Sequence, residues 1–291
     1  MTAADGSISD FVKLSGKRLL GNLSARLAGR HATAVLTDTP QGRFLVGSAD
    51  FTVGRRLRHS GAYGLSELGR LYDLVDADSH VLVVGAHVGT LAIPLSRKVA
   101  EVVAIEATPS TFDLLKSNVF LNESTNVEIH QAAASDSAGV LEFFVSSSNS
   151  GGNKRKPLFA DRRYDFDRPK VVEVQAVRLD DLLAGRQFDL ILIDIEGSEY
   201  FALRGMQTLL SNAQTLVIEF VPHHLTNVAG VGVAEFLSTI MPHFDQLEIG
   251  ATGRRHDGDD IERELSAMYK AGLEDEGLIF SRRQGSSLTP N

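Results

Sequence analysis

The chain has 291 residues, 43% of them hydrophobic and 23% charged, with a formal net charge of −8. That length carries one large core plus an accessory segment, and the composition is that of a globular protein in water. The acidic balance argues against a nucleic-acid partner, the lack of cysteine excludes disulfides and thiolate chemistry, and no apolar run is long enough for a membrane partner to be expected.

Residues 1–7 lack the basic and apolar stretches of a secretion signal, so the cytoplasm is the expected location. Residues 8–29 read as an amphipathic helix with Leu19, Leu20, Leu23 and Leu27 at helical spacing, suited to packing on the chain itself or across a homodimer. Short apolar runs at 33–36 and 43–46 flank Pro40 and Gly42 and predict a β-hairpin. Gly61 and Gly64 break the chain before a helix at 66–74. Tyr63 reads as a packing residue, with closure over a cofactor as the other possibility. Residues 1–75 are thus expected to be an N-terminal extension of helix, hairpin and helix, and 76–291 the main domain.

From residue 79 strands and helices alternate. Strands are expected at 80–84, 102–106, 127–131, 188–194, 215–221, 244–249 and 277–282. Helices are expected near 89–98, 110–121, 199–210, 232–241 and 259–271. This predicts an α/β fold: a three-layer, doubly wound, mostly parallel, Rossmann-like sheet. Thr108 and Pro109 read as a hydroxyl cap and a first-turn proline. Two further strands, at 140–145 and 171–177, flank a polar insertion at 146–170, which reads as a functional lid or a disordered loop. Its Lys154, Arg155, Lys156, Arg162 and Arg163 are either a solvated run or a cradle for an acceptor bearing phosphate or carboxylate. Residues 281–291 read as a frayed tail.

Gly85 and Gly89 bracket the turn after the 80–84 strand. Glycine admits close approach of a ligand, and the next helix N-terminus offers unpaired N–H donors. Glu106 ends the following strand 21 positions after Gly85, the separation expected of a carboxylate that accepts ribose hydroxyls. His87 stands where a dinucleotide site has its middle glycine, which disfavours a pyrophosphate and with it NAD. S-adenosylmethionine (SAM), which has no pyrophosphate, suits the pattern better. The alternative is a turn without ligand, with Glu106 an ordinary strand-end residue and His87 satisfying turn groups.

With Asp194, Ile195, Glu196, Gly197, Ser198 and Glu199 added, the chain resembles the FkbM family of SAM-dependent methyltransferases. The matching stretches are 84–90, 104–110, 118–122, 133–136, 178–182, 193–199 and 217–220, in order and at the right spacing. Val83, His87 and Leu192 stand where the family usually has an acid, an asparagine and a lysine. The resemblance implies the class I methyltransferase sheet with an antiparallel last strand. It also implies that Gly85, Ala86, His87 and Gly89 hold the methionine end of SAM. Glu106 would hold the ribose with Ala107 and Thr108 beside it, while Ala132, Ala133 and Ser135 border the adenine. Asp194 would face cofactor and acceptor, and the acceptor would be a small molecule with a sugar or natural-product hydroxyl.

Methyl transfer from a sulfonium needs alignment and, for a hydroxyl acceptor, a base. Asp194, Glu196, Glu219, His223 and His224 sit at expected strand ends and share one rim of a parallel sheet. A histidine or Glu196 then acts as general base. Alternatively Asp194, Glu196, Glu219 and a histidine hold a divalent cation such as magnesium, manganese or zinc. The spacing matches no dedicated metal motif, which favours the metal-free base. Glu196 and Glu199 also suit a helix start, and His223 and His224 a solvated turn. A carboxyl or N-methyltransferase on the same fold, and a non-catalytic SAM-fold binding or scaffold protein, remain the alternative functions.

Overall fold

The structure is a computed structural model and describes residues 8–283. It begins with helix α1 (Ile8–Ala28), the hairpin strands β1 (Ala34–Thr39) and β2 (Gly42–Gly47), and helices α2 (Val53–Ser60) and α3 (Leu65–Asp73). Strands β3 (His80–Val84), β4 (Glu101–Glu106) and β5 (Val127–Gln131) follow, linked by α4 (Ala92–Ser96) and α5 (Pro109–Leu121). Next come β6 (Ala133–Ala134), β7 (Gly139–Val145), β8 (Lys154–Arg155), α6 (Arg162–Asp165) and β9 (Lys170–Val177). The chain returns through α7 (Leu179–Leu182) to β10 (Leu190–Ile193), α8 (Glu199–Arg204), α9 (Gln207–Asn212), β11 (Thr215–Phe220) and α10 (Pro222–His224). It ends with α11 (Val233–Ser238), β12 (Gln246–Glu248), β13 (Arg255–Asp257), α12 (Asp259–Ala271) and β14 (Asp275–Ser281).

The central sheet has eight strands in the order β13-β12-β14-β11-β10-β3-β4-β5. From β11 to β5 all pairs are parallel, and β14 runs antiparallel to β11 and β12. Side chains alternate across the sheet. Leu82, Val84, Ile191 and Ile193 pack into one core layer, and Val81, Val83, Leu190 and Leu192 into the other. Burial on both faces is why β3 and β10 read as unbroken apolar runs. The chain winds outward from β3 in one direction and from β10 in the other, so a crevice opens at their C-terminal ends.

A second sheet, in the order β6-β9-β7-β8, stands beside that crevice. It orders the 146–170 insertion, so the disordered alternative does not hold. Ser146 and Ser148 hydroxyls both donate to the Asp167 carboxylate, and the Asn153 amide donates to Thr108 and Thr111. The hairpin is docked by two asparagines one turn apart, Asn118 on α5 and Asn122 at its C-terminal cap. Asn118 Oδ1 accepts Leu45 N–H at 2.6 Å and its Nδ2 donates to Leu45 O and Val88 O; Asn122 bonds both backbone groups of Arg43.

Several expectations are corrected. The 199–210 helix is broken at Gly205, where any Cβ would lie 1.9 Å from the Ser135 carbonyl oxygen. Helix α2 is short, with only Val53 and Leu57 as large apolar anchors, too few for a visible period. Thr108 starts α5 without a side-chain cap, because its hydroxyl donates to Glu106 instead. Leu19, Leu23 and Leu27 do not pack on the chain: they are 76%, 51% and 80% exposed, while Gly21 between them is buried. Residues 281–283 are not frayed, since Arg282 donates to Leu210 and Ser211 carbonyls and the Arg283 backbone donates to Asp245. The remainder of that expected tail lies outside the described residues.

Candidate active site

The β3 turn opens the site. Gly85 has φ 93°, and a Cβ there would fall 1.8 Å from the Asp194 carbonyl, so glycine is dictated by the approach of β10. His87 is also left-handed, with φ 52°, and its N–H donates to Glu106 Oε2 at 3.1 Å. Glu106 is buried at the end of β4, where Oε1 accepts Thr108 N–H at 2.8 Å and the Thr108 hydroxyl at 2.6 Å. A carboxylate has about four lone-pair sites, and these three bonds leave one for a ligand hydroxyl.

The cavity in front of Glu106 is walled by Gly85, His87 and Ala107, by Ala132 and Ala133, and by the ring of Phe143. Apolar faces for a base, a carboxylate for a ribose and a backbone turn fit a nucleoside. Ala86 faces a second cavity on the other side of the turn. Two residues expected at the cofactor stand away from both. Gly89 packs against Ile93 and Leu115, and Ser135 donates its backbone N–H to Val177 and its hydroxyl to Asp136.

Asp194 follows β10 and separates the two cavities. Glu196 lines both and also a third cavity, shared with Glu219, His223 and His224. The five expected catalytic residues therefore do converge. Burial, reinforced by the neighbouring carboxylates, pushes Asp194 and Glu219 well above the usual acid range. Glu199 takes no part in the crevice: its Oε1 accepts Ile195 and Gly197 N–H and holds the turn.

His224 is buried, with Nε2 3.4 Å from Glu196 Oε2 and Nδ1 3.6 Å from Glu219 Oε2. Burial and then the Lys154 ammonium hold its imidazole well below the ordinary value, so it is neutral at pH 7. His223 Nδ1 meets the Tyr164 hydroxyl at 2.8 Å, and burial lowers it to about 4. These histidines are therefore built into the site and do not form a solvated turn. Glu196, Glu219 and His224 offer ligand atoms within 4.8 Å of one another. The Lys154 ammonium already stands there, 2.8 Å from Glu196 Oε2 and 3.3 Å from His224 Nε2.

Three of the other four insertion cations are also committed. Lys156 pairs with Glu142, Arg163 with Asp161, and Arg155 stacks 4.2 Å over Phe201; Arg162 is exposed. Residues missed by sequence reading are Asp50, Glu67, Ser150 and Tyr164. The Ser150 hydroxyl donates to Asp50 and lies 2.7 Å from His87 Nε2, which roofs the nucleoside cavity. Tyr63, seen in the sequence, lines the second cavity.

The strand order, the antiparallel last strand and a carboxylate-ended second strand beside a glycine turn define the class I methyltransferase fold. The model of the Methyltransferase FkbM domain matches residues 84–265, and the chain belongs to that family. Methyltransferase sdnD of Sordaria araneosa is 26% identical over 165 residues, covering 46% of this chain and 64% of that protein. Hexuronic acid methyltransferase AglP of Haloferax volcanii is 25% identical over 152 residues, 51% of this chain and 59% of that one. The chain thus spans less than two thirds of the length of these curated relatives. A solved methyltransferase FkbM structure from Methylobacillus flagellatus KT is 18% identical with a TM-score of 0.42, covering 71% of this chain and 44% of that chain. Among the described residues no helix is long and apolar enough to cross a membrane.

Proposed function

We propose that the chain is a SAM-dependent O-methyltransferase that methylates a hydroxyl of a small molecule, a sugar or natural product, and leaves S-adenosylhomocysteine. One observation carries the reading: Glu196 borders both the nucleoside cavity and the cavity that holds the neutral His224. SAM, when bound, supplies an electrophilic methyl group. Glu106 holds the ribose, and the turn from Gly85 to His87 faces the rest of the cofactor. His224 accepts the acceptor proton, and Glu196 stabilises the imidazolium that forms. The acceptor cavity carries Asp167, Glu196, Glu219 and Glu274 against Lys154 and Arg163, whose charges are paired with Glu196 and Asp161. That balance supports a neutral hydroxyl over a phosphate or carboxylate and, with the net charge of −8, a small molecule over nucleic acid.

The test is calorimetric titration with S-adenosylhomocysteine, followed by an acceptor screen with SAM in which product masses are read. Glu106→Ala is expected to weaken nucleoside binding about 10- to 100-fold, as loss of a charged hydrogen bond to the ribose implies. No binding by the unsubstituted protein would move the scaffold reading ahead. Methylated amines or acids without methylated alcohols would replace the O-methyl reading.

A further inference from the structure

The second cavity, on the far side of the glycine turn, is lined by Val83 of β3, by Ala86 and Thr90 from the turn that follows it, by Tyr63 just before α3 and by Glu67 in its first turn. It shares Gly85, His87, Asp194 and Glu196 with the nucleoside cavity, so a ligand crossing the turn enters it directly. Glu67 Oε1 is buried there and has no hydrogen-bond partner. Orphaned buried carboxylate oxygens are costly and call for a donor. Val83 brings no charge, and Asp194, Glu219 and Glu276 line the cavity as well. Burial and Glu276 push Glu67 up to about 7, against the pull of Arg70. Arg56 lines the cavity too, so an amino-acid zwitterion entering it meets a cation as well as Glu67.

We propose that Glu67 accepts the α-ammonium of the amino-acid end of SAM. Helix α3, which lies outside the family-matched segment 84–265, then completes the cofactor site. The inference rests on the SAM reading above. Its consequence is that the glycine turn and Glu106 recognise the nucleoside, while a separate element recognises the amino acid.

Calorimetry with two probes tests it. S-adenosylhomocysteine carries the amino-acid end; 5′-methylthioadenosine keeps the nucleoside and thioether and lacks it. Glu67→Gln is isosteric, and its melting temperature is measured alongside to show that it folds. The expected result is a loss of about 10- to 100-fold in affinity for S-adenosylhomocysteine, the size of a charged hydrogen bond, with methylthioadenosine binding within twofold of the unsubstituted protein. Equal binding of S-adenosylhomocysteine by both proteins, or equal weakening of both probes, overturns the assignment of Glu67. Failure of the unsubstituted protein to bind either probe overturns the SAM reading, and this inference with it.

Discussion

At Glu196 the backbone adopts φ 56°, a left-handed conformation that costs a non-glycine residue about 1–2 kcal/mol. The turn is held from both sides: Glu199 accepts two of its N–H groups, and Val228 would lie 2.7 Å from any Cβ on Gly197. The strain places one carboxylate at the junction of three cavities and within reach of Lys154 and His224. His224 has a folded-state value below its unfolded 6.5, so its share of stability is complete above 6.5 and is lost as pH falls. The same shift puts the acid limb of activity below pH 6.5. His224→Asn should lower kcat about 10²–10³-fold and leave calorimetric binding of S-adenosylhomocysteine unchanged, as removal of a general base does. A kcat within threefold of the unsubstituted protein would move the base role to another residue.

The elements that the sequence displays well are those whose pattern is made locally. Strands β3, β4, β10 and β11 are apolar because both faces are covered, and Glu106 and Asp194 follow at fixed positions from their ends. The break between α8 and α9 has no local sign, since helical periodicity runs through Gly205 and only the distant Ser135 carbonyl forbids a Cβ there. Gly205→Ala should therefore destabilise the fold by about 2–4 kcal/mol, read by denaturant unfolding, through overpacking against backbone. A change under about 0.5 kcal/mol would mean that the α8–α9 junction shifts freely. The insertion is opaque for the same reason. Serine, asparagine and glycine look like a loose loop until Asp167, Thr108 and Thr111 arrive as partners from elsewhere in the chain.

Over the whole molecule, the family-matched segment supplies the floor of the site and segments around it supply the walls. Asp50, Tyr63 and Glu67 precede the match, and their relation to the glycine turn depends on Asn118 of α5 docking the hairpin, which no spacing rule encodes. Helix α1 turns Gly21 inward and Leu19, Leu23 and Leu27 outward, the reverse of what helical spacing alone suggests. The hydroxyl of Ser150 is bonded at once by Asp50 from behind the hairpin and by His87 in the glycine turn. Both bonds exist only while hairpin, insertion and turn are together. At about 1 kcal/mol net each they bias the crevice shut by roughly thirtyfold. Ser150→Ala should accelerate dissociation of S-adenosylhomocysteine about ten- to thirtyfold in stopped-flow measurements and alter association little. An unchanged dissociation rate would place the limiting contact elsewhere. For a protein of this design one serine hydroxyl would act as a timer, setting how long the spent nucleoside stays before the next turnover begins.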